Sequence, residues 1–112
     1  MAAKRKRTKE QLVKIFWGEF VKGASGFPTS RTVKKVAKGR YEREIDRNND
    51  NGYFDRGSSF KASKRCARTA GRMSAALARF ADSPSVERNH FEEIAALLER
   101  NRPPHTAGGI CG

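Results

Sequence analysis

Apolar residues fall at helical spacings in four stretches of the chain, separated by short polar runs rich in turn formers. In the first stretch, Leu12, Val13, Ile15, Phe16, Trp17, Phe20 and Val21 cover roughly two-thirds of a helical circumference at about 100° per residue. One buried face needs less than that, so Trp17 or Val21 is expected to meet a second surface, within the domain or on a partner chain. Thr8 followed by Gln11 is a capping-box pattern that satisfies free N–H groups at a helix start, and Gly23, Gly26 and Pro28 are expected to end the element. A second helix is predicted from Thr29 or Ser30, with Val33, Val36, Ala37, Tyr41 and Ile45 as its apolar stripe. Gly39 inside it costs about 1 kcal/mol relative to Ala. The polar run from Asp46 to Gly52 then breaks the chain into two halves.

The third predicted helix is the longest, from Ser58 or Ser59 to about Ala81. Its expected apolar face is Phe60, Cys66, Ala67, Ala70, Met73, Leu77, Phe80 and Ala81, with Ser63 and Ser74 on the same arc. Small side chains dominate that face, which predicts close approach to a neighbouring helix. Asp82-Ser83-Pro84-Ser85 ends it. The fourth helix should start within residues 85–89 and run to Arg100, burying Phe91, Ile94, Ala95 and Leu98. Asn89 with Glu92 suggests another capping box, and Glu87, Glu92 and Glu93 suit the positive end of the helix dipole. Pro103-Pro104 stops it. Strand-like alternation and internal repeats are absent. The expected fold is all-α: a small bundle of about four helices over residues 9–102, with a basic arm at 1–8 and a loose tail at 103–112.

Length and charge sharpen this picture. The chain has 112 residues, 24 Lys and Arg against 12 Asp and Glu, and a formal net charge of +12. Its apolar segments are too short for the roughly 20 residues of a membrane-spanning helix, so no membrane partner is expected. With Cys66 and Cys111 as the only cysteines, the expectation is reduced thiols and an intracellular protein.

The charge is concentrated on the third helix. Lys61, Lys64, Arg65, Arg68, Arg72 and Arg79 fall within about 100° of arc, opposite the Cys66–Ala70–Leu77 stripe. No acid occurs between Ser58 and Ala81, so these cations lack local partners. Like charges four residues apart repel by a few tenths of a kcal/mol each, whereas a phosphate backbone would reverse that sign and release counterions. The row is about 27 Å long at 1.5 Å per residue. Arg31, Lys34, Lys35 and Lys38 form a second patch at the start of the second helix, where Lys38–Glu42 and Arg40–Glu44 have the spacing to pair along the helix. Lys4, Arg5, Lys6 and Arg7 make an arm suited to phosphates or a minor groove. The first two helices are joined by about seven residues, longer than the three or four of a helix-turn-helix.

Other constellations count for less. Asp46, Asn48 and Asp50 have the spacing that opens an EF-hand loop, but the glycine falls one position late and Gly57 stands where a bidentate Glu is needed. Tyr53 and Phe54 have the composition of a base-stacking pair, and packing against the core is the favoured reading. His90, His105, Cys66 and Cys111 show no zinc spacing, with Cys66 read as a small core residue. No catalytic motif, metal site or cofactor site can be assembled, and the chain is expected not to be an enzyme. The expected partner is nucleic acid, DNA ahead of RNA, gripped through its phosphates in a regulatory or packaging role. The alternatives are a protein-interaction module or inhibitor docking an acidic partner, and an RNA-binding ribonucleoprotein component. The broad apolar coverage of the first helix also suggests a homodimer.

Overall fold

A computed structural model describes residues 7–48, 54 and 57–101, which form four helices and no strand. The helices are α1 (Lys9–Gly23), α2 (Arg31–Asn48), α3 (Gly57–Phe80) and α4 (Arg88–Arg100). The all-α bundle expected from the apolar periodicity is the observed architecture. The basic arm up to Lys6, the segment containing Tyr53 and Asp50, and the tail with His105 and Cys111 lie outside the described residues.

The capping box at the start of α1 forms as predicted: the Gln11 N–H donates to Thr8 Oγ1 at 3.1 Å and the Thr8 N–H to Gln11 Oε1 at 2.9 Å. α2 begins one residue later than predicted because Ser30 serves as its cap, its Oγ accepting the Val33 N–H at 3.3 Å. At its far end α2 runs on to Asn48, whose side-chain amide donates to the Glu44 carbonyl at 2.7 Å. Asp46 therefore lies within a helix and pairs with Lys9 at 3.3 Å, instead of opening a calcium-type loop. α4 also differs at its start. The cap is Glu87, whose N–H donates to Nδ1 of the buried His90 at 3.0 Å, and Asn89 makes no such box.

Phe16 and Phe20, one turn apart on α1 and fully buried, are the hubs of the core. The Phe16 ring lies 6.0 Å from Tyr41 of α2, 5.5 Å from Phe54 and 6.1 Å from Phe60 of α3. Phe20 lies 5.7 Å from Phe91 of α4 and has Trp17 stacked on it at 5.1 Å. The surplus apolar surface of α1 is thus largely used internally, leaving Val21 at 43% exposure. Phe54 folds back onto the core, as the packing reading expected.

α3 packs differently from its predicted wheel. Its buried residues are Ser63, Ala67, Gly71, Ser74, Ala75 and Ala78. Cys66, Ala70, Met73 and Leu77 are only half-buried, and Phe80 is 90% exposed. The inner face is therefore turned by roughly 80° from the expected one. The physical reason is space. The aromatic rings of α1 fill the core, and α3 must approach closely to close it, so its smallest residues face inward. A Cβ at Gly71 would fall well inside contact distance of the Phe20 carbonyl oxygen, and one at Gly23 would meet the Arg68 carbonyl in the same way.

Two loops are tied together at one end of the bundle. The Val86 N–H donates to the Pro28 carbonyl at 2.8 Å and the Ser30 N–H to the Val86 carbonyl at 3.0 Å, with Thr29 and Val86 forming an isolated parallel bridge. The connection from α1 to α2 is thereby anchored to the one from α3 to α4. It is a seven-residue link rather than the tight turn of a helix-turn-helix.

The turned face also changes the cysteine reading. Cys66 sits half-buried at the edge of α3 and is disulfide-bonded, where a reduced core thiol was expected. The argument for a reducing, intracellular setting rested on free thiols and loses that support. Among the described residues no helix is long and apolar enough to cross a membrane.

Candidate nucleic-acid interface

The turned packing of α3 places its cations beside the buried face, along the edge shared with α1, and not opposite it. Lys61, Arg65, Arg68, Arg72 and Arg79 are exposed and Lys64 is half-buried. The sequence expectation that all six lack partners needs one correction. Arg68 donates from Nε and Nη2 to Oε1 of Glu19 on α1, at 2.9 and 2.6 Å. Lys22 holds the other carboxylate oxygen at 3.3 Å. Glu19 is 5% exposed, so this pair is part of the α1–α3 joint. Burial pushes its carboxyl pKa up, but the hydrogen bonds and charges of Arg68 and Lys22 outweigh that and hold it below the ordinary value.

Three further cations lie against aromatic rings. The Arg7 guanidinium is 3.9 Å above the Phe60 ring, which also carries the Lys64 ammonium at 4.9 Å. Arg79 lies 4.8 Å over Phe27 in the α1–α2 connection. Such contacts orient a cation without neutralising it. Lys61, Arg65 and Arg72, in contrast, have no ion-pair partner among the described residues. α3 carries no acid of its own, and the nearest ones along the chain are Asp55 and Asp82, each two positions beyond an end of the helix.

On α2, Arg31, Lys34 and Lys35 are exposed and Lys38 half-buried, again without ion-pair partners among the described residues. The expected pairing of Lys38 with Glu42 does not form. Arg40 instead reaches Glu99 of α4 at 3.6 Å, and Glu44 pairs with Arg47 at 3.2 Å. α2 and α3 occupy diagonal positions, each packing on α1 and α4. At one end of the bundle Arg79 of α3 lies over Phe27, which precedes Arg31, the first residue of α2, by four positions. Lys4, Arg5 and Lys6 lie outside the described residues.

Two groups were missed in the sequence. Glu19 was legible, being the one acid between Phe16 and Phe20 in the buried arc of α1. Phe80 was not, since its apolar character assigned it to the core. Among the described residues, no group of three or more His, Cys, Asp or Glu side chains is placed to hold a metal ion. The arrangement is a small helical bundle with a long cationic edge. No protein-family model matches the chain, and comparison with curated proteins and with solved structures found no match.

Proposed function

We propose that this protein binds nucleic acid through the phosphate backbone, using the cationic edge of α3 beside α1 as its main contact. Lys61, Arg65 and Arg72 carry the reading: three exposed, unpaired cations on a helix without a single acid. A solvated helix face normally intersperses both signs. Glu19 relieves the repulsion of the row at Arg68, and an external polyanion would relieve the rest. Lys64, Arg79 and Arg7, oriented by aromatic rings, extend the contact at both ends. Arg31, Lys34 and Lys35 on α2 add a second patch around the Phe27 end. The contacts are charge neutralisation and counterion release, with little reading of base edges. Arg68 takes a smaller part, since Glu19 already holds two of its donors.

Fluorescence anisotropy with labelled duplex DNA, single-stranded DNA and RNA across a salt series tests this. The variant to compare is Lys61→Glu/Arg65→Glu/Arg72→Glu, which leaves the Arg68–Glu19 joint intact. Wild type is expected to bind at micromolar concentration or tighter, with a steep negative log–log salt slope. On duplex the triple variant should flatten that slope by about 2.7, at roughly 0.9 per lost phosphate contact. Absence of binding to all three polymers at low salt, with the protein folded, overturns the proposal and points to an acidic protein surface.

A further inference from the structure

Phe80 is 90% exposed, the most exposed large apolar side chain among the described residues. Its position is fixed. The last turn of α3 closes in a Schellman motif, with the Ser83 N–H donating to the Ala78 carbonyl at 2.8 Å and the Asp82 N–H to the Arg79 carbonyl at 3.1 Å. Asp82 takes the left-handed conformation the motif requires, at φ 58°. The ring therefore projects from a rigid helix end and not from a mobile loop.

Its neighbours give the ring a direction. Lys64, Arg68, Arg72, Ala76 and Phe80 follow one another at intervals of four, so they form a single ridge along α3. Phe80 lies about 12 Å beyond Arg72 at 1.5 Å per residue. Between them stands Ala76, exposed and too small to cover the ring. The adjacent Arg79 would be the natural cation to lie over Phe80, but its guanidinium is turned onto Phe27. No aromatic or cationic group partners Phe80 among the described residues.

We infer that Phe80 is a base-stacking side chain that takes the face of an unpaired nucleobase on a single strand whose phosphates lie along the ridge. This rests on the phosphate-binding reading above and goes beyond it, by choosing the unpaired form of the polymer and the residue that recognises it. Every base offers a π-face, so the contact adds affinity without sequence preference. The charge of the ridge supplies the complementarity: a strand drawn to Lys64 and Arg72 by its backbone passes the open ring next.

Two labelled oligomers of equal length test it: an oligothymidylate, and an abasic strand with the same phosphates and no bases. Phe80→Ala is expected to weaken oligothymidylate binding by about tenfold, within the range of one lost base stack, and to leave abasic binding unchanged. Phe80→Leu should behave like Phe80→Ala, while Phe80→Trp should keep wild-type affinity. In Phe80→Trp the emission added to that of Trp17 should be quenched by oligothymidylate and not by the abasic strand. The exposed ring makes no packing contribution, so circular dichroism of all variants should match wild type. If Phe80→Ala binds oligothymidylate as wild type does, stacking is overturned while phosphate binding stands. If wild type binds neither strand, the phosphate reading itself fails. Equal losses on both strands, accompanied by a change in sedimentation, overturn stacking in favour of self-association through Phe80.

Discussion

Arg68 and Arg72 are one turn apart on the same ridge of α3, with the same side chain and similar exposure, yet the fold uses them in opposite ways. Arg68 reaches inward to a buried carboxylate of α1 and helps to join two helices. Arg72 has nothing to pair with among the described residues. A linear charge pattern treats the two alike, and the difference is made by one residue, Glu19, which is 49 positions away from Arg68. A run of like charges is therefore a mixture of structural and free cations, and only the free ones belong in an account of binding. The same division holds across the helix: the inner face of Ser, Gly and Ala fixes how closely α3 approaches α1, and Arg72, Ala76 and Phe80 stay exposed on the other side.

The sharpest break of this comparison is at the inner face. Gly71→Ala would place a methyl group into the Phe20 carbonyl, where backbone and not a flexible side chain must move. It is expected to cost about 3 kcal/mol, which thermal denaturation would register as a fall in Tm of about 10–20 °C for a chain of this size.

Arg68→Ala comes next, at about 2 kcal/mol, because it leaves the buried Glu19 carboxylate to Lys22 alone. Arg72→Ala should change stability by less than about 0.5 kcal/mol while weakening nucleic-acid binding. Urea unfolding of the two variants, read beside their salt titrations, separates a structural cation from a binding one. The pH dependence has a defined sign. The Glu19 carboxyl is held below its ordinary value in the folded protein. Its contribution is therefore complete above the unfolded value of 4.5 and is lost as pH falls through the lower folded value. Glu19→Gln should show a shallower loss of stability on that acid side.

A further expected effect has the opposite sign. Ser74 is fully buried with a hydroxyl that has no hydrogen-bond partner among the described residues. Ser74→Ala should stabilise the protein by about 0.5–1 kcal/mol, since it removes a desolvated polar group and raises helix propensity. A loss of stability on denaturation would show that the hydroxyl is satisfied in solution. Tyr41 gives a related check on the alkaline side, because burial raises its pKa well above the ordinary value of 10. Stability should fall as pH rises past 10, and Tyr41→Phe should remove that part of the fall.

The sequence by itself determined the four helices, the capping box at Thr8, the apolar rows of α1 and α2, that of α4 except for Leu98, which is half-buried while His90 is buried instead, and the basic character of α3. These are local properties, set by periodicity, capping chemistry and charge density within one or two turns. Only the tertiary structure decided which arc of α3 faces inward. Hydropathy favoured Cys66, Met73, Leu77 and Phe80, but the bulk of Phe16 and Phe20 on α1 demanded the smallest neighbours, and Gly71, Ala75 and Ala78 won that place. That rotation carried Cys66 to the edge and Phe80 into solvent, and it brought Arg68 to Glu19. Close packing is a property of two surfaces together, so no single helix encodes its outcome.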